Sequence, residues 1–77
     1  MLYWKADFQI PDSGAQSAEV FAFCQLNDEQ TVITVEFYAD NSKQNLLFIE
    51  QYEHDSDYVS AEEYLLTTEE FANYTLA

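Results

Sequence analysis

From Leu2 to Ile10 apolar and polar residues alternate. Leu2, Trp4, Ala6, Phe8 and Ile10 fall on one face, and Tyr3, Lys5, Asp7 and Gln9 on the other. A period of two predicts a half-buried strand. Pro11-Asp12-Ser13-Gly14 then supplies turn chemistry. Residues 15–26 fit two patterns. As a strand, Ala18, Val20, Ala22, Cys24 and Leu26 alternate with Glu19, Phe21, Phe23 and Gln25, and both faces are largely apolar; as a helix, Ser13 or Ser17 would cap it. The Val and Phe content favours the strand.

Asn27-Asp28-Glu29-Gln30 is a polar turn. Thr31 to Ala39, β-branched and aromatic, carries the strongest strand signal, with Ile33, Val35 and Phe37 on one face and Thr34, Glu36 and Tyr38 on the other. Asp40-Asn41-Ser42-Lys43 turns the chain. Gln44 to Tyr52 reads as a further strand, with Leu47 and Ile49 on one side and Leu46, Phe48, Glu50 and Tyr52 on the other. Such short turns imply antiparallel neighbours in a meander.

After the charged loop Glu53-His54-Asp55-Ser56-Asp57 the period changes. Ser60-Ala61-Glu62-Glu63 has the capping-box form, and Thr67-Thr68-Glu69-Glu70 repeats it. Ala61, Tyr64, Leu65, Thr68, Phe71, Ala72 and Thr75 recur at helical spacing. The pattern predicts one interrupted helix or two short ones, with Glu62, Glu63, Glu69 and Glu70 in first turns favoured by the helix dipole. The expected fold is α+β: a small antiparallel sheet of three or four strands with the C-terminal helix packed on one face. A chain of 77 residues is a single domain, 1–77.

Composition changes the picture in two ways. First, 48% hydrophobic and 17% aromatic residues argue for a folded chain despite its charge. A domain this small hides only ~60% of its unfolded surface, so a homodimer is one route to more buried area. Cys24 is the one cysteine, which rules out an internal disulfide. It lies in an apolar run and reads as a small buried hydrophobe rather than a nucleophile, which needs neighbouring cations or a histidine.

Second, the chain carries 15 Asp and Glu against two Lys and Arg, a formal charge of -13. After Lys43 no Lys or Arg occurs. Solubility is served by a net charge of about 2–8 in magnitude, so this excess points to a cationic partner. It repels nucleic acid and anionic membranes, so direct binding to either is not expected. No run approaches the ~20 apolar residues of a membrane helix. No signal peptide or lipidation motif is legible, so the cytoplasm is the expected compartment, that of the host if the chain is phage-encoded.

Candidate chemistry is sparse. Carboxylates are plentiful, but acid–base catalysis needs a cleft that pushes their pKa values apart, and no enzyme is expected. Glu53-His54-Asp55-Ser56-Asp57 offers oxygens and an imidazole, but lacks the central Gly and distal Glu of a calcium loop and the Cys and His of a zinc site. It reads as a solvated loop with no metal or other cofactor, and His54 as an ordinary exposed histidine rather than a pH switch. The one glycine, Gly14, cannot make a phosphate loop.

What remains is the acidic surface. Duplex DNA carries one charge per ~3.4 Å of axis on each strand. Carboxylates two apart on a strand lie roughly 7 Å apart, and helical neighbours three or four apart ~5–6 Å between Cβ atoms. Such a surface can stand in for successive phosphates. The candidate partner-binding residues are Glu50, Glu53, Asp55, Asp57, Glu62, Glu63, Glu69 and Glu70, the cation-free stretch, extended by the turn acids Asp28, Glu29 and Asp40. Tyr52, Tyr58, Tyr64 and Tyr74 are candidate aromatic anchors among them.

In size, charge and mixed β/α pattern the whole chain resembles the small acidic nucleic-acid mimics of phages and mobile elements: anti-CRISPR proteins, anti-restriction proteins and inhibitors of uracil-DNA glycosylase. That resemblance is carried by the profile and not by a motif. It implies occupation of the nucleic-acid site of a basic DNA- or RNA-handling protein, without turnover. Two other readings use the same residues differently. One is an immunity protein or antitoxin against a basic toxin. The other is a small adaptor whose charge serves solubility and whose contact is an apolar patch around Trp4, Phe21 or Phe23.

Overall fold

The computed structural model describes residues 1–5, 8–9, 14 and 16–77. Seven strands lie among them: β1 (Leu2–Trp4), β2 (Phe8–Gln9), β3 (Gln16–Ser17), β4 (Val20–Leu26), β5 (Val32–Tyr38), β6 (Leu46–Glu53) and β7 (Thr75–Leu76). A short helix, α1 (Ala61–Leu65), and a 3-10 turn, Glu69–Phe71, separate β6 from β7. Five strands form one sheet in the order β6-β5-β4-β1-β7, and β2 and β3 pair separately. Every described pairing is antiparallel.

Of residues 15–26, Ala15 lies outside the described residues, and the rest are strand rather than helix but in two pieces: β3 and β4 are separated by a break at Ala18 and Glu19 and lie in different sheets. β4-β5-β6 is the expected meander. The sheet has five strands rather than three or four. The extra one is β7, although the helical spacing of the sequence runs through Thr75. Leu2 lies opposite Leu76 and Tyr3 opposite Thr75, so the last residues are held extended against β1. The predicted first strand, Leu2 to Ile10, is two short strands; Ala6, Ile10 and the turn residues Pro11, Asp12 and Ser13 lie outside the described residues.

Alternation decides the faces. Leu2, Ala22, Phe37 and Phe48 are in register across β1, β4, β5 and β6, and so are Cys24, Val35 and Glu50 across the last three. This face receives Ala61, Leu65, Phe71 and Tyr74 and becomes the core with Val20, Ile33 and Val35. The opposite face carries Tyr3, Phe21, Phe23, Thr34, Glu36, Tyr38 and Ile49. Trp4 therefore faces Tyr74, at 5.5 Å between ring centroids. Phe21 and Phe23 point the other way, so Trp4 shares no patch with them.

Two local features depart from the simple pattern. The ladder between β5 and β6 shifts between Phe37 and Tyr38, so Phe48 faces Phe37 while Leu46 faces Tyr38. Leu47 is the extra residue. A bulge reverses the alternation: Leu47 packs against the core, and Leu46 is left half-exposed on the other side. The second is the helix. Ser60 caps it, its hydroxyl accepting from the Glu63 backbone at 3.4 Å, as the first capping box predicts. The second box does not form. Thr67 and Thr68 turn their hydroxyls back to donate to the carbonyls of Tyr64 and Leu65, at 2.7 and 2.6 Å. Back-bonding of this kind competes with helix continuation. It closes α1 after Leu65, and the 3-10 turn then delivers Phe71 to the core.

Candidate functional site

The eleven candidate carboxylates do not share one face. Five gather at one end of the sheet. Asp28 and Glu29 are exposed in the turn between β4 and β5, Glu53 is the last residue of β6, and Asp55 and Asp57 lie in the loop after it. The two segments are stitched together there: Glu53 lies opposite Val32, and the His54 backbone donates to the Thr31 carbonyl at 2.9 Å. Asn27 fixes the turn by accepting from the backbones of Thr31 and Val32, at 2.8 and 3.0 Å.

The loop after β6 is held by its own polar groups. Asp55 accepts from the Asp57 backbone at 2.9 Å. His54 is half-buried rather than exposed. Its Nε2 donates to the Tyr58 carbonyl at 3.0 Å, which fixes that tautomer, and its ring meets Tyr64 edge-on at 5.8 Å. The histidine is thus a loop strut. Among the described residues no group of three or more His, Cys, Asp or Glu side chains is placed to hold a metal ion.

Asp40 stands at the far end of the sheet. It accepts from the hydroxyl of Ser42 and from the backbones of Ser42, Gln44 and Asn45, at 3.2, 3.2 and 2.9 Å for the three backbones. The Ser42 hydroxyl, followed by these N–H donors, outweighs desolvation and holds its carboxyl below the usual range. Its charge is engaged in building the turn. Glu62 is engaged as well, paired with the α-amino group of Met1, while Glu63 beside it is exposed.

Glu50 and Glu70 come together from separate elements. Both line a hollow of about 260 Å³ between β6 and the 3-10 turn, walled by Phe37, Phe48, Tyr52, Phe71 and Tyr74. Burial, and then the charges of Glu50 and Glu70, raise the Tyr52 hydroxyl pKa. Glu69 is exposed next in the chain to Glu70. Of the tyrosine anchors, Tyr74 is a core residue, Tyr52 and Tyr64 are half-buried, and Tyr58 is at the surface, 5.5 Å from Tyr64.

The aromatic hollow is not among the sites that the acidic pattern predicts. Its sequence signal is the spacing Phe48, Glu50, Tyr52 on the core-facing side of β6. That side continues past the reach of a five-residue helix, so it stays partly open. Among the described residues the one ion pair is that of Met1 with Glu62, and no carboxylate is paired with a lysine. No helix among them is long and apolar enough to cross a membrane. No family model, curated protein or solved structure matches the chain.

Proposed function

We propose that this protein is an acidic inhibitor that occupies the nucleic-acid-binding site of a basic DNA- or RNA-handling protein, in the manner of anti-CRISPR and anti-restriction mimics. The observation that carries the reading is the excess of negative charge. Fifteen carboxylates face two lysines in the sequence. The five at the Asp28–Asp57 end of the sheet are held by a short turn and a strutted loop. Such a charge set is costly to the fold through self-repulsion, and a cationic cleft relieves that cost. Fixed loops also lose less entropy on docking than flexible ones.

No step of chemistry is assigned. The inhibitor acts by steric and electrostatic occupation, and Tyr58 at its surface, with the half-buried Tyr52 and Tyr64, adds apolar contact. The partner would meet it in the cytoplasm of the cell that makes or receives it.

The test is capture from nuclease-treated host lysate by the immobilised protein at low salt, followed by elution with duplex DNA and mass spectrometry. The expected result is a basic nucleic-acid enzyme that DNA releases and that salt weakens steeply. A partner that stays bound through DNA and high salt would assign the contact to apolar surface and the charge to solubility.

A further inference from the structure

We infer that the hollow between β6 and the 3-10 turn seats an arginine side chain of the partner. The inference rests on the reading above of a basic partner and names where one of its cations goes. The walls are rings: Phe48 stacks on Phe37 at 4.2 Å between centroids, and Phe71 meets Tyr52 edge-on at 5.3 Å. The rim carries Glu50, from the strand, and Glu70, from the turn. At about 260 Å³ the space falls below the roughly 300–1,000 Å³ of small-molecule pockets. It suits one side chain.

The pairing of rings with carboxylates selects the occupant. A guanidinium stacks on aromatic faces, is weakly hydrated, and presents N–H groups in a fork that fits carboxylates, whereas an ammonium is a compact and strongly hydrated charge. The protein already meets this need internally on its other face. There Lys43 lies over the Phe23 ring, 4.6 Å from its centroid, and shares a second hollow with Glu36. The β6 hollow has the same ingredients, with one more carboxylate and no lysine among its lining residues. A cation from outside completes it.

The test is a titration of the isotope-labelled full chain with tetra-arginine and, separately, tetralysine peptide, followed by NMR. Shifts concentrated at Phe48, Tyr52, Phe71 and the Glu50 and Glu70 carboxyls, with tetra-arginine the tighter ligand, are expected. The double variant Glu50→Gln, Glu70→Gln should lose at least about fivefold in peptide affinity, whereas the control Asp28→Asn, Glu29→Gln loses much less. Both pairs are exposed, and an unchanged amide spectrum elsewhere verifies the fold. Shifts centred on the Asp28–Asp57 end, or equal losses from the two double variants, would overturn the inference and leave only diffuse charge attraction. The two readings fail separately. A DNA-eluted partner captured equally well by the Glu50, Glu70 variant refutes the arginine seat alone. Peptide binding in the hollow without any nucleic-acid enzyme on the resin refutes the inhibitor reading alone.

Discussion

Cys24 shows how one side chain reports on the whole core. It sits on β4 facing the helix, half-buried, opposite Val35. Burial, and then the charge of Glu62, push its thiol up to about 12, against a smaller opposite pull from the Met1 amino group. Two outcomes follow. At pH 8 the folded protein should react with a thiol reagent at least about 100-fold more slowly than the urea-unfolded chain, because so little thiolate is present. A reaction equally fast in both states would place Cys24 outside the core. The second concerns stability. Between the ordinary thiol range and about 12 the unfolded chain releases this proton while the folded chain keeps it. Stability therefore falls as pH rises through that window. Tyr52 and Tyr74, also raised by burial, act in the same direction. That Cys24 packs as a small hydrophobe was legible from the run Val20 to Cys24. The role of His54 was not, because a histidine between acids looks solvated until the carbonyl of Tyr58 folds back onto it.

Elements were legible wherever a single period governed them. β5 and the direction of the meander follow from the β-branched run Val32–Val35 and the short polar turns. The departures all come from competition between local and long-range bonding. Thr67 and Thr68 end α1, the bulge at Leu47 reverses the start of β6, and pairing with β1 turns the last helical-looking residues into β7. The β4–β5 turn stores some strain of its own. Gln30 is left-handed, with φ 57°, and its backbone donates to the Asn27 carbonyl at 3.0 Å. A left-handed non-glycine residue costs roughly 1–2 kcal/mol, which glycine avoids at the expense of unfolded-state entropy. Gln30→Gly should therefore stabilise the protein by about 0.5–1 kcal/mol in urea denaturation. A loss of stability would show that the Gln30 side chain contributes more than its backbone costs. Lys43 is also left-handed, with φ 61°. It is a poorer test, because replacing it also removes the cation over Phe23.

At the scale of the molecule the sheet divides the acids into groups with different work. Asp40 and Glu62 serve the fold. Asp28, Glu29, Glu53, Asp55 and Asp57 crowd one end, and Glu50 and Glu70 frame the aromatic hollow. The excess of acids over lysines is legible in the sequence, and it is what the proposal of a cationic partner rests on. It could not divide the acids in this way, because Glu50 and Glu70 are twenty residues apart and meet only once Phe71 is drawn into the core. The central claim is that the acidic surface and nucleic acid compete for one site. The direct measurement uses the DNA-eluted partner, bound to a fluorescent duplex, with anisotropy followed as this protein is added. Full release of the duplex, at a concentration that rises in step with the amount of duplex present, is predicted. A complex that holds both the duplex and this protein at saturation would contradict the account, because the acidic surface would then be docking somewhere other than the nucleic-acid site.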